Sequence, residues 1–240
     1  MKKLAIVSAV LCLTILAAGC TTNKKAPAGE SPDSSDAVVA ESAAPSHEVT
    51  VEDLTRNVIS RGEIDYISSC PKLIVDGVEA TEINTAISEH VQEAYPLEFD
   101  GEYIDGYETM YKWGVNGNTV SIVIYALYVS EDYYTVEVYN YDLDTLEPLE
   151  DTEVAKRLGM TDEEFFDKTA DIFTARYSDV RDIDLERSIA QIDYYNITPY
   201  ITPEGNPGVA ACIYYAQDSQ FCGAESVRCF DLSKDYSNEK

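Results

Sequence analysis

Two histidines, His47 and His90, are the imidazoles on which any nucleophile–base chemistry would rest in this chain. His47 falls in a stretch rich in Ala, Ser and Pro, and His90 lies beside Ile83, Ile87 and Val91, which recur at helical spacing. Neither placement suits a triad, which is defined by the mutual geometry of nucleophile, base and orienting group. His90 reads as a partly exposed helix residue. Carboxylates are far more numerous, with 44 Asp and Glu against 17 Lys and Arg. Two of them face to face would serve as acid and base for cleavage of a sugar linkage, but spacing singles out no pair. Asp142-x-Asp144-x-x-Glu147 and the trio Asp179, Asp182 and Asp184 offer the oxygens that Ca²⁺ takes. Both lack the ligand spacing and central glycine of an EF-hand loop, so they are read as solvated turns. Zinc would want a C-x-x-C pair, and there is none. The sequence therefore points to no catalytic residue, no metal and no cofactor.

A different chemistry is suggested by Ala17-Ala18-Gly19-Cys20. Met1-Lys2-Lys3 supplies a positive start, and Leu4 to Leu16 is an apolar run too short to span a bilayer as a mature helix. Small residues fill the three positions before Cys20, with Leu16 just upstream. This arrangement resembles the lipobox of bacterial lipoproteins, which implies that residues 1–19 are a signal peptide and that Cys20 is the lipidation site. The protein is then expected on the extracellular face of the cell membrane, held by palmitate-type acyl chains. Residues 20–50, rich in Ala, Ser, Pro, Asp and Glu, bury too little apolar surface to offset their ordering entropy and are read as a tether. Residues 51–240 remain, about 190 in number, enough for one ordinary core and hence one extracellular domain.

The formal net charge is −27, and losing Lys2 and Lys3 makes the mature chain more acidic still. Such a polyanion repels nucleic acid, whose phosphates want clustered Lys and Arg. It equally repels an anionic membrane surface, so the lipid is left as the anchor, and it attracts cationic proteins. Of six cysteines, Cys12 goes with the signal and Cys20 takes the lipid. Cys70, Cys212, Cys222 and Cys229 are left, and outside the cytoplasm four cysteines permit three disulfide connectivities that sequence does not separate. Cys212 and Cys229 lie on the two arms of an expected final hairpin, where a directly opposed pair comes within bridging distance. Cys70 and Cys222 would then pair or stay free.

Along the folded part, Ile64 to Val75 reads as a strand and Thr81 to Tyr95 as a helix with Ile83, Ile87 and Val91 inward. Tyr107 to Val115 and Asn118 to Val129 flank Asn116-Gly117, a dipeptide suited to positive φ at both centres of a hairpin turn. After a turn at Ser130-Glu131-Asp132, Tyr134 to Tyr141 alternates as a half-exposed strand and completes a three-stranded meander. Past Pro148 the period changes. Val154 and Leu158 precede Gly159 as a C-cap, and Thr161-Asp162-Glu163-Glu164 opens a helix with a capping box. Phe165, Thr169, Ile172 and Phe173 form its apolar stripe as far as about Tyr177. A short helix over Leu185 to Ile192 leads to a second set of strands: Ile197 to Ile201, Gly208 to Ala216 and Ser226 to Leu232, with a turn at Pro203-Glu204-Gly205-Asn206. The fold class is α+β, antiparallel meanders forming a sheet with helices packed on one face.

Tyr139-Asn140-Tyr141-Asp142-Leu143-Asp144-Thr145 leading to Leu149, then helices, then Tyr200-Ile201-Thr202-Pro203-Glu204-Gly205 and a closing hairpin, is similar to a known pattern. It resembles the paired bacterial extracellular modules of unknown function in the ectodomain of the lysozyme-sensing anti-sigma factor, over roughly Tyr66 to Leu232. A similar module precedes the catalytic part of a peptidoglycan deacetylase. The chain carries neither the transmembrane helix and sigma-binding segment of the first nor the metal-binding catalytic domain of the second. The resemblance therefore implies a binding module carried on a lipid.

Of the 18 tyrosines, most suit a sheet by propensity alone. Tyr133, Tyr134 and Trp113, placed near turns, are the candidates for a ligand surface, since such rings give large contact area with a polar tip. The expected function is a non-catalytic envelope-binding domain whose partner is a cationic extracellular protein of lysozyme type or a component of peptidoglycan. The alternative is a carboxylate-dependent hydrolase or transferase acting on cell-wall glycan.

Overall fold

Three two-residue reversals shape the first half of the chain, and each of them contains a glycine. Residues 45–99, 101–129, 134–221 and 224–236 are described in the computed structural model. Strands β1 (Val49–Arg61) and β2 (Ile64–Val75) are joined at Gly62, and β2 turns into β3 (Val78–Glu79) through Asp76-Gly77. Asp76 at φ 50 and Gly77 at φ 76 are the pair with positive φ at both centres, the arrangement of a type I′ hairpin. Helix α1 (Thr81–Ala94) and short β4 (Leu97–Phe99) lead to β5 (Ile104–Asn116) and β6 (Thr119–Tyr128). Here the expected Asn116-Gly117 turn shifts by one residue. Asn116 pairs with Thr119, so Gly117-Asn118 is the loop, and only Gly117 has positive φ, at 55. That is the φ pattern of a II′ turn, which needs glycine at its first centre alone.

β7 (Tyr134–Asp142) completes the meander, and α2 (Asp151–Arg157), α3 (Asp162–Tyr177) and α4 (Leu185–Ala190) follow. The capping box at Thr161 and Glu164 forms as the sequence predicts, and Gly159 ends the preceding helix region at φ 76. Strands β8 (Ile197–Ile201), β9 (Pro207–Tyr214) and β10 (Glu225–Asp231) close the chain.

The strands form two sheets, not one. The larger runs β1-β2-β5-β6-β7, with β3 beside β2 and β4 beside β5, and the smaller runs β10-β9-β8. All ladders are antiparallel except β2 with β5, which touch in parallel at Ser68 and Thr109 because α1 carries the chain across. β6 is buried on both faces, which explains its near-continuous apolar sequence. Val120, Ile122 and Ile124 join Ile83, Ile87 and Val91 of α1 in one core, while Val123 meets Tyr200 and Ala210 of the smaller sheet. β9 divides likewise, with Val209, Ala211 and Ile213 packed with Phe165 and Phe173 of α3. The order of layers is α1, larger sheet, smaller sheet, α2–α4. The fold is α+β, with its helices on the two outer faces rather than on one.

Two polar devices register these layers. Asn84, 2% exposed on α1, accepts from Leu73 N at 2.7 Å and donates to Leu73 O at 3.0 Å, locking the helix to β2. Between the sheets, Ser121 Oγ donates to Asn140 at 2.5 Å and accepts from Ile201 N at 2.8 Å, while Asn140 donates to Pro199 O at 2.9 Å. Buried groups satisfied in this way fix one register, because each alternative leaves a costly unpaired donor or acceptor.

β1 is the longest of the elements the sequence does not announce, the others being the short strands β3 and β4. It begins at Val49, inside the segment read as tether, and Ser46 to Glu48 are already bonded to the domain. Cys20 and residues 21–44 of the expected tether lie outside the described residues.

Candidate functional site

A pocket of about 470 Å³ opens between the start of α1 and the loop from β7 to α2. One wall grows from the Asp76-Gly77 turn through β3, ending at Glu79 and Ala80. Ala80 stands at the N-cap of α1 and contributes no side-chain acceptor, so the first helical turn reaches the pocket without a cap. The other wall is the loop 143–150, whose shape is set by Asp142. Asp142 Oδ1 accepts from Asp144 N at 2.8 Å and Thr145 N at 3.0 Å, and its other oxygen meets Arg157 Nη2 at 2.6 Å. Burial opposes the charge of Asp142, but Arg157 and the two amides outweigh it and hold the carboxyl below its ordinary range. The loop closes with Leu146 N donating to Asp142 O and Asp142 N to Glu147 O. This forces Leu146 to φ 59, a conformation that costs a non-glycine residue on the order of 1–2 kcal/mol.

The floor is apolar, made by the buried Ala80, Ile83 and Tyr141, with the exposed Leu146 and Pro148 at its lip. The rim is acidic. Glu79, Glu82 and Glu147 line it, and none of the three enters an ion pair among the described residues. An apolar floor under unpaired carboxylates accommodates a cationic head on an aliphatic or aromatic stem.

His47 sits directly behind these walls. Its Nδ1 lies 2.7 Å from Asp76 Oδ2 and its Nε2 2.9 Å from Asp144 Oδ1. Asp76 also accepts from Glu48 N at 2.9 Å, while Asn118 bonds both Ser46 and Asp144. Hydrogen bonds to Asp76 and then Asp144 raise the His47 pKa above its ordinary value, and the same contact lowers that of Asp76. The Asp142, Asp144 and Glu147 oxygens, spaced in sequence like cation ligands, thus diverge towards Arg157, towards His47 and Asn118, and towards the pocket. Asp184, from the other acidic trio, caps α4 by accepting from Arg187 N at 3.0 Å.

The aromatic candidates are not brought together. Trp113 packs against the α1-side core and borders two further pockets on the seam between the sheets. Tyr134 pairs with Leu127 at the start of β7, and Tyr133 lies outside the described residues. His90 is exposed, its ring 6.2 Å from Tyr95 and 6.1 Å from Tyr139.

The cysteines differ from the expected pairing. Cys212 stands opposite Val227, and Cys229 opposite Ala210, so the two are diagonal neighbours on one face and remain free thiols. Diagonal positions are separated by about 7–8 Å, beyond the span of a disulfide. Cys70 is a buried free thiol and Cys222 lies outside the described residues. Burial pushes the Cys212 thiol up to about 11 and raises Cys70 and Cys229 too, which keeps all three protonated and poorly nucleophilic.

Sequence reasoning passed over Glu79, Glu82 and Leu146. The available signal was the Asp76-Gly77 dipeptide, a turn that brings Glu79 to the helix start. Among the described residues no helix is long and apolar enough to cross a membrane. Compared with known proteins, the sequence matches no family model and has no significant match among curated proteins.

Proposed function

We propose that the chain is a surface lipoprotein, anchored through Cys20 on the extracellular face of the membrane, whose α+β domain is a non-catalytic receptor for a cationic extracellular protein. The pocket with its apolar floor and three unpaired glutamates carries this reading, supported by the net charge of −27. A long-range acidic field speeds the encounter with a basic partner, and the pocket supplies a place where one Lys or Arg side chain is held. The resemblance to the modules of the lysozyme-sensing ectodomain makes a muramidase of lysozyme type the partner to try first.

The test is biolayer interferometry of the chain from Thr21 onward against lysozyme across a salt series. Affinity should persist near 0.15 M salt, where the Debye length is about 8 Å, and fall at least about tenfold in the triple variant E79Q/E82Q/E147Q, consistent with loss of central charged contacts. Binding that vanishes at that salt, or is indifferent to the three substitutions, refutes it. For the anchor, Cys20→Ala should release the protein to the medium or leave an unprocessed precursor.

One observation favours the glycan-cleaving alternative. Asp151, in the first turn of α2, is pushed up to about 6 by burial and by Glu150, a range suited to a general acid. Measurable hydrolysis of purified peptidoglycan, lost in Asp151→Asn, would establish that alternative.

A further inference from the structure

The two carboxylates that grip His47 do not line the pocket themselves but belong to the two segments that lead into its opposite sides. Asp76 heads the turn that leads to Glu79, and Asp144 begins the run in which Thr145, Leu146 and Glu147 line the far side. The described non-glycine residues with positive φ are Asp76, in the turn that leads to Glu79, and Leu146, in the pocket lining. Backbone held in this way persists only where the surroundings over-determine it. His47 is also the second residue before β1, at the root of the segment that leads back towards Cys20.

We infer that His47 is a positioning residue for the pocket: its imidazolium ties the two walls together and so sets the spacing of the acidic rim. The ligand named in this inference rests on the receptor reading above, whereas the tie does not depend on it. The chemistry is a matter of donors. An imidazolium carries an N–H on both nitrogens and satisfies both carboxylates, whereas neutral imidazole turns a lone pair towards one of them. Loss of one proton therefore opens one side of the tie. The charged groups that face the ring are Asp76 from the β2–β3 turn and Asp144 from the β7–α2 loop; Glu48 is its chain neighbour, and the β5–β6 turn contributes neutral Asn118.

The direction of the pH effect follows. The folded-state pKa of His47 lies above the ordinary 6.5, so the tie is complete below that value and is lost as pH rises through the folded pKa. Long-range attraction for a basic ligand changes the opposite way, by one charge on a background more acidic than the −27 of the whole chain, so a weakening at higher pH reports the tie. Arginine at the same position keeps a permanent charge and several donors.

The experiment measures lysozyme binding to the chain from Thr21 onward between pH 5.5 and 9, for the native protein, His47→Gln and His47→Arg. The native affinity should fall several-fold through the His47 titration, which NMR of the ring follows directly and which Asp144→Asn should shift downward. His47→Gln should be uniformly several-fold weaker than native at pH 6 with a flat profile, and His47→Arg should restore affinity with a flat profile. A His47→Gln variant that binds as the native protein does at pH 6 overturns the inference. Should lysozyme bind at no pH, the receptor reading fails by itself, and amide exchange of residues 143–148 decides the tie. Protection falling through the His47 titration in the native protein, and absent in His47→Gln, supports it; protection indifferent to both overturns it.

Discussion

The acidic pocket and the seam between the two sheets are both clefts, and they are made by opposite means. At the seam, polar groups are turned towards one another. Lys112 lies 5.4 Å from the centre of the Tyr125 ring, Tyr200 covers Gly208, and Ser121 and Asn140 bridge to β8. The backbones meet so closely at Gly114 that a Cβ there would sit 1.9 Å from the Thr202 carbonyl oxygen. Pockets of about 360 and 480 Å³ border this seam, yet charges of both signs share the first, including Lys112, Lys234, Glu204 and Asp231. At the pocket beside α1, Glu79, Glu82 and Glu147 enter no ion pair among the described residues, and His47 joins the segments that carry its two sides. The lesson is that a cleft which completes its own bonds is structural, whereas one that leaves like charges unpaired over an apolar floor is arranged for something else to complete it.

Substitutions at the two places should therefore separate stability from binding. The largest effect is expected at the seam. Gly114→Ala forces backbone against backbone and should lower stability by about 3 kcal/mol, read from the urea midpoint, while lysozyme affinity per folded molecule stays unchanged. A near-neutral result would mean that the two sheets adjust freely and that the contrast with the pocket is false.

Asn140→Ala comes next. It strips the Pro199 carbonyl and the Ser121 hydroxyl of a buried partner and should cost about 1–3 kcal/mol in the same assay, again sparing the pocket.

Asp151 tests the pH side of the comparison. Its folded pKa of about 6 lies above the ordinary 3.8, so the native state holds this proton more tightly than the unfolded chain does. Stability is therefore lost as pH rises from about 4 to about 6, and the penalty is complete above that. Asp151→Asn should recover about 1 kcal/mol at pH 7.5, solvent screening reducing the full effect, and recover nothing at pH 3.5. Thermal unfolding at the two pH values gives the difference, and an equal gain at both would contradict the assignment to burial.

The smallest expected change is at Leu146. Glycine relieves its positive φ, so Leu146→Gly should leave stability unchanged or raise it by up to about 1 kcal/mol. Binding should weaken, since the variant removes the apolar lip of the pocket. A strained residue that stabilises when replaced but impairs binding belongs to function; one whose replacement merely destabilises belongs to the fold.

Much of the architecture was legible where the cause is local. The span of α1 follows from Ile83, Ile87 and Val91, the capping box at Thr161 forms with its own Glu164, and β2, β7 and β8 to β10 fall within a residue or two of their alternating patterns. β1 escaped notice because an edge strand buries little. Val-Thr-Val-Glu-Asp-Leu-Thr-Arg-Asn carries charges where a central strand would carry apolar residues, which is also what protects an exposed edge from pairing with another chain.

What tertiary structure alone decided depends on long separations. Cys212 and Cys229 lie on the expected arms, but the β9–β10 register sets each against a different residue, and a two-residue offset is invisible in composition. His47 meets carboxylates 29 and 97 residues away. By itself the sequence determined the turns, helix spans and apolar faces, because these depend on neighbours within a few positions. The division into two sheets, the His47 bridge and the meeting of Glu79, Glu82 and Glu147 around one pocket were decided by packing, because only burial of both faces of β6 and β9 brings those distant segments into contact.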